Sequence, residues 1–212
     1  PRCVSRGGEK LERALQTFGL SVEDCCCVDL GASTGGFIDC LLQHGARKVY
    51  AVDVGYGQLH ERLRTDPRVV IMDKTNARYV TPDRFSERVD VVTADLSFIS
   101  LRLVLPAAQR ILASCGFAIV LVKPQFEIGK GRVGKGGVVR REEDHIEVLE
   151  EFGKWVSEDW TLKGLTSSPI QGKDGNIEFL AWLKPGAGES RMDIGQVVEE
   201  AHRSAPSGEQ TW

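Results

Sequence analysis

Cys25-Cys26-Cys27-Val28-Asp29-Leu30-Gly31-Ala32-Ser33-Thr34-Gly35-Gly36-Phe37 reads as an apolar strand, a glycine-rich turn and the first turn of a helix. The strand is expected over 25–30 and the helix over 37–44, where Gly45 stops it. A short, continuous apolar run leading straight into a helix suits a strand buried on both faces of a parallel sheet. The same alternation continues downstream. Strands are expected over 48–54, 69–72, 89–94 and 117–122, and helices over 101–113 and 142–156. A further amphipathic helix, 7–18, precedes the first strand, with Leu11, Leu15 and Phe18 on one face. Closing strands over 160–165 and 177–183 flank a short loop containing Gly172-Lys173-Asp174-Gly175, so they are expected to pair antiparallel. The fold class is therefore α/β, a Rossmann-like, mostly parallel seven-stranded sheet with helices on both faces. One domain is expected over 1–189, with 190–212 forming a C-terminal helix (194–202) and tail of the same domain.

Composition bounds the function classes. A length of 212 residues suits one domain, and 42% hydrophobic residues suffice for a sizeable core. No apolar run approaches the roughly 18–20 residues a spanning helix needs, and no signal peptide opens the chain, so a cytoplasmic protein without membrane insertion is expected. Of six cysteines, three are adjacent, which suits neither a disulfide framework nor a metal knuckle. No C-x-x-C occurs and the four histidines have no i,i+4 partner, so no metal is expected. Small apolar strand residues in a reducing compartment account for Cys25, Cys26 and Cys27.

The turn decides the cofactor. Dinucleotide enzymes use G-x-G-x-x-G, whereas Asp29-x-Gly31-x-x-x-Gly35-Gly36 brings its second glycine too late. An acidic residue leading the turn suits a cationic ligand better than a pyrophosphate. Asp53, closing the next strand, can accept both hydroxyls of a ribose. Together these point to S-adenosylmethionine, with Gly31, Ala32, Ser33, Thr34, Gly35, Gly36 and Phe37 forming the cradle. Asp29 would face the methionine end, and Asp73 or Asn76 the adenine. The alternative is that the acids merely cap turns. Gly129 to Gly136 fits G-x-x-x-x-G-K but lacks the final Ser/Thr, and reads as a mobile basic loop.

Four charges stand in apolar surroundings: Lys10 in the first helix, Asp95 in VVTADLSF, Lys123 in AIVLVKPQF and Glu178 among Ile177, Phe179 and Leu180. Such charges are costly unless paired with one another. At this point Val4-Ser5-Arg6-Gly7-Gly8-Glu9-Lys10-Leu11, the Asp29–Phe37 turn, Val52-Asp53-Val54-Gly55-Tyr56-Gly57-Gln58-Leu59, Thr75-Asn76-Ala77-Arg78, Asp95-Leu96-Ser97-Phe98-Ile99-Ser100-Leu101, Leu121-Val122-Lys123-Pro124-Gln125-Phe126-Glu127, Gly134-Lys135-Gly136-Gly137-Val138-Val139-Arg140 and Gly175-Asn176-Ile177-Glu178-Phe179-Leu180 carry a resemblance. The chain resembles the TlyA, or haemolysin A, family of FtsJ-like ribose methyltransferases over nearly its whole length. The resemblance implies a Rossmann-like fold that uses S-adenosylmethionine to methylate the 2′-hydroxyl of ribosomal RNA nucleotides, with ribosomal RNA or ribosomal subunits as partner. Its catalytic Lys-Asp-Lys-Glu tetrad falls on Lys10, Asp95, Lys123 and Glu178. Members usually carry an RNA-binding module ahead of Val4, and an aromatic residue where this chain has Cys3. A fragment starting at Pro1 is thus expected to bind cofactor normally and RNA weakly.

Lys123 is the candidate to take or to orient the hydroxyl proton; the sequence leaves both roles open. Asp95 would orient Lys123 and lie close to the methyl group. Competing readings are a methyltransferase for a small molecule or protein, a membrane-active haemolysin, and a non-catalytic RNA-binding module. The net charge of −3 is an average of unlike segments. Residues 123–141 carry a local +5 and residues 142–159 a local −7. Arg6, Arg13, Lys130, Arg132, Lys135 and Arg140 are the expected RNA contacts, next to the tetrad.

Overall fold

A computed structural model describes residues 4–129, 131–172 and 174–205. Its elements run α1 (Gly7–Phe18), β1 (Cys26–Leu30), α2 (Gly36–Gln43), β2 (Lys48–Val52), α3 (Glu61–Arg64), β3 (Val69–Met72), β4 (Val89–Ala94), α4 (Leu101–Ile111), β5 (Leu112–Val122), α5 (Pro124–Glu127), α6 (Glu142–Val156), β6 (Trp160–Ser167), β7 (Phe179–Pro185) and α7 (Ile194–Ser204). The seven strands form one sheet in the order β3-β2-β1-β4-β5-β7-β6. The first five run parallel, and β7 lies antiparallel to both neighbours. Strand order reverses between β1 and β4, so a crevice opens beyond their carboxyl ends.

All five residues of β1 are buried, and their alternation splits the core. Cys26, Val28 and Leu30 face the layer of α4, α6 and α7, represented by Leu105, Phe152 and Val198. Cys27 faces the layer of α1 and α2, with Leu11, Ile38 and Leu41. That is why adjacent cysteines do not pair: neighbouring thiols belong to opposite layers. All five described cysteines are free, and burial pushes the Cys26 thiol up to about 12, so it stays protonated. Cys3 lies outside the described residues.

Several boundaries differ from the sequence reading. The helix expected over 101–113 ends at Ile111 because β5 starts directly at Leu112 and runs through Val122. The last strand starts at Phe179, so Glu178 precedes the strand instead of lying inside it. Buried Asn176 explains the shift. Its side-chain oxygen accepts from the Val139 amide at 2.9 Å, and its nitrogen donates to the Gly137 carbonyl at 3.0 Å. Residues 176–178 thereby anchor the glycine-rich loop rather than extend the sheet. Helices α3 and α5 have four residues each, too few to leave a periodic pattern. α7 closes the layer of α4 and α6 with Val198 and Ala201, and its His202 Nε2 lies 2.7 Å from His145 Nδ1 on α6. Among the described residues no helix is long and apolar enough to cross a membrane.

Candidate active site

The glycine turn is pinned from both sides. The Gly31 and Ala32 amides donate to the Val52 carbonyl at 2.9 and 3.0 Å, which ties the turn to the end of β2. Gly31 adopts φ +85°, and a Cβ there would overlap the Asp95 carbonyl oxygen. Gly36, opening α2, packs against the backbone of Gly7 and Gly8 at the start of α1, where a Cβ would be 2.8 Å from the Gly8 nitrogen. Glycine at these positions therefore brings the ends of β1 and β4 and the helices α1 and α2 together at one point.

A cavity of about 560 Å³ opens there. It is lined by Asp29, Gly31, Ala32, Ser33, Thr34, Gly36 and Phe37, and by all four of Lys10, Asp95, Lys123 and Glu178. The four charges form two separate pairs. Lys10 Nζ donates to Glu178 Oε2 at 2.7 Å, with side chains 10% and 3% exposed. Lys123 Nζ lies 2.7 Å from Asp95 Oδ1, with side chains 9% and 27% exposed, and donates to Ser97 Oγ at 3.1 Å. Both pairs line the cavity, and the Lys10–Glu178 pair is the more buried of the two.

Asp53, Asp73 and Asn76 are not among the residues lining this cavity. Asp53 accepts the Ser33 amide on one oxygen and the Gly55 amide on the other, both at 2.7 Å. Asp73 accepts the Gly57 amide at 3.1 Å, and Asn76 caps a short turn by accepting from Arg78 at 3.0 Å. For Asp53 this is the capping role weighed above against a ligand role; Asp73 and Asn76 cap turns in the same way. Gly35 caps α2 at φ +100° and likewise stands outside the lining.

Asp29 shares its strand face with Cys27 and is 1% exposed. Its carboxyl accepts from the Thr93 hydroxyl at 2.7 Å. Burial pushes its pKa from 3.8 up to about 7; the Thr93 bond works against this, and Asp95 and Asp53 add to it. Between those values the folded chain keeps a proton that the unfolded chain has released. The stability this proton contributes is present below about pH 4 and lost as pH rises through 7. Asp29→Asn keeps the Thr93 bond and removes that loss. Thermal melts should show the variant more stable than the parent at pH 8.5, by on the order of a few kcal/mol, with the gap closing toward pH 4.

The basic residues separate into two groups. Arg6 lines the cavity, and Arg13 stands one helical face further along α1. Arg132, by contrast, is bound by α6, with Glu147 Oε2 at 2.7 Å and Asp144 Oδ1 at 3.1 Å. Arg141 pairs with Glu143 and Asp144. The basic loop and the acidic helix thus fold onto each other, so the loop is not the free cationic surface its local +5 suggested. Lys135 and Arg140 are exposed, and Lys130 lies outside the described residues.

Five contributors escaped sequence reading as single residues. Thr93 bonds Asp29, Ser97 bonds Lys123, and Gln125 Nε2 reaches Glu178 Oε1 at 3.4 Å. Glu127 accepts from the Leu101 amide at 2.8 Å and the Ser100 hydroxyl at 2.7 Å, locking the 95–101 segment to the end of β5. Phe98, at the rim, has φ +61° and is 91% exposed; its ring lies 5.1 Å from that of Phe126. An exposed aromatic held in the left-handed region is a strained position typical of functional sites. All except Thr93 lie in the two motifs around Asp95 and Lys123, but only the fold shows what they touch.

The FtsJ-like methyltransferase family model matches residues 3–185. YqxC of Bacillus subtilis is 50% identical over 211 residues, covering 96% of this chain and 75% of that protein. The 16S/23S rRNA (cytidine-2′-O)-methyltransferase TlyA of Mycobacterium tuberculosis is 45% identical over 206 residues, covering 97% of this chain and 76% of TlyA. A solved structure from Streptococcus thermophilus, 48% identical, superposes with a TM-score of 0.91 over 96% of this chain and 76% of its own. Sheet order, cavity and sequence agree: the chain belongs to the FtsJ-like methyltransferase family.

Proposed function

We propose that the chain transfers a methyl group from S-adenosylmethionine to the ribose 2′-hydroxyl of a ribosomal RNA nucleotide. The observation that carries this is the Lys123–Asp95 pair opening into the same cavity as the glycine turn. The relative from M. tuberculosis bears that activity in its name. The reading puts the enzyme's work in the cytoplasm, on ribosomal RNA or ribosomal subunits.

The residues present fit the cofactor. The cavity volume lies within the roughly 300–1,000 Å³ of small-ligand sites. A bare backbone at Gly31 leaves room for close approach, and the Asp29 carboxyl suits a cationic amino-acid end. Asp53 has lone pairs beyond those taken by the Ser33 and Gly55 amides, which ribose hydroxyls can use. Asp73 or Asn76, after β3, would flank the adenine outside the lining of this cavity. When bound, the cofactor would supply a methyl group on a sulfonium, whose S–C bond would break as the methyl passes to the ribose oxygen.

The chain's own part is to place the ribose oxygen and receive its proton. An ammonium has three donors. Lys123 uses one on Asp95 and one on Ser97, which leaves the third for the ribose oxygen. As the oxygen is methylated, its proton passes to Lys123 Nζ while an Nζ proton moves to the Asp95 carboxylate across their 2.7 Å contact, so the pair ends one proton richer, with that proton on Asp95. Lys10 and Glu178 brace the opposite wall, and Arg6, Lys135 and Arg140 meet phosphates. The exposed Phe98 ring stacks on the target base. Phe98→Ala should lower kcat/KM for RNA by about 10- to 100-fold, in line with ~1–3 kcal/mol per stacked base, and leave cofactor affinity unchanged by calorimetry.

Labelled S-adenosylmethionine incubated with ribosomal subunits and with naked ribosomal RNA tests the reading. Mass spectrometry should locate the methyl group on a ribose oxygen. Label on a base, or on protein alone, overturns it.

A further inference from the structure

Next to the tetrad cavity lies a second one of about 390 Å³, which shares Arg6, Ile170 and Gln171 with it. Arg13 of α1, Ser168 beyond β6 and Ser204 of α7 stand in its wall. Arg6, Lys10 and Arg13 follow one another at i, i+4 and i+7, so they form one stripe along α1, rising about 10 Å from Arg6 to Arg13. Lys10 is committed to Glu178. Arg6 and Arg13 form no ion pair among the described residues, whereas Arg132 and Arg141 are held by α6, Arg62 by Asp39 and Arg102 by Glu151. Two exposed guanidiniums at one groove, without carboxylate partners, suit an anionic ligand that extends along the groove.

The lining also says which part of a nucleic acid would lie there. It contains serines, a proline, isoleucines, a glutamine and alanines, and no aromatic side chain. A groove that held bases would be expected to offer stacking platforms; this one offers cations and hydroxyls for phosphates and small apolar surfaces for sugars. The aromatic residues, Phe37, Phe98 and Phe126, line the tetrad cavity instead.

We propose that this groove is the track for the RNA strand flanking the methylated nucleotide, running from the tetrad along α1 toward the C-terminal end of α7, with backbone phosphates on Arg6 and Arg13. The proposal rests on the ribose-methylation reading for what occupies the tetrad cavity. It adds a direction: the strand leaves past α1 and α7. It also adds a substrate class, since a groove gripping one backbone takes a locally unpaired segment.

Arg13→Glu is the test, with Arg84→Glu as a control of equal charge change on the exposed turn at 82–84. Binding of a fluorescent single-stranded RNA oligonucleotide is measured across a salt series, and ribose methylation is measured in parallel. Arg13→Glu should weaken binding at least about tenfold and lower the slope of log K against log[salt] by about one, while Arg84→Glu changes neither. Melting temperature and cofactor affinity should match the parent. Arg13→Gln should show a smaller loss in the same direction. Equal effects of Arg13→Glu and Arg84→Glu, or no effect of either, overturn the track. If the parent binds the oligonucleotide through Arg13 yet labels no ribose, the track stands and the ribose reading fails. Ribose labelling with binding indifferent to Arg13 is the converse.

Discussion

Lys123→Ala is expected to lower ribose methylation by roughly 10²–10⁴-fold, the usual contribution of a positioned proton-transfer group, with cofactor affinity little changed. Lys123 follows the last residue of β5, at the carboxyl end of the sheet, and touches the site through Asp95 and Ser97, not through the glycine turn. Truncation leaves Asp95 unpaired, but its side chain is 27% exposed and water can reach it, so the fold should lose little. Lys123→Arg should not rescue turnover. The planar guanidinium has a different reach and donor geometry, and two short contacts already fix the amine. Single-turnover rates with ribosomal subunits, beside calorimetric titration of the cofactor, make the measurement. Turnover retained by Lys123→Ala would remove this residue from the chemistry, and parallel loss of cofactor binding would make it a structural residue.

The residues that must be unusual were legible in the sequence because each breaks a local pattern. Asp95 and Lys123 directly follow apolar runs, Glu178 stands among Ile177 and Phe179, and Asp29 stands inside a buried run two residues before Gly31. The mostly parallel class of the sheet also followed from the alternation of elements, as did the antiparallel pairing of the last two strands; the order of the strands did not. Pairing between distant residues was not legible. Lys10, a charge in the first helix, is bonded to Glu178, 168 positions away. Nor could charge counts reveal that Arg132 faces Glu147 and Asp144, because a loop and the helix after it can point their charges apart or together. Asp53 shows a third limit. An acid at a strand end can bind a ligand or hold a turn, and its partners, Ser33 and Gly55, are backbone amides that any sequence would provide.

Lys10→Met should cost about 3–5 kcal/mol of stability, the usual result of breaking a buried ion pair from one side. Glu178, 3% exposed, would keep only Gln125 Nε2 at 3.4 Å as a described side-chain donor. Loss of activity in this single variant would therefore say nothing about catalysis. The double variant Lys10→Met/Glu178→Leu separates the two contributions. Replacing both charges with apolar side chains of similar volume removes the unpaired charge as well as the pair, so denaturant melts should recover most of the lost stability. Methyl transfer should nevertheless remain at least about tenfold down, because both side chains also line the cavity and their field acts on the reacting oxygen. If the double variant is folded and fully active, the Lys10–Glu178 pair is a strut, and the chemistry belongs to Lys123 and Asp95 alone.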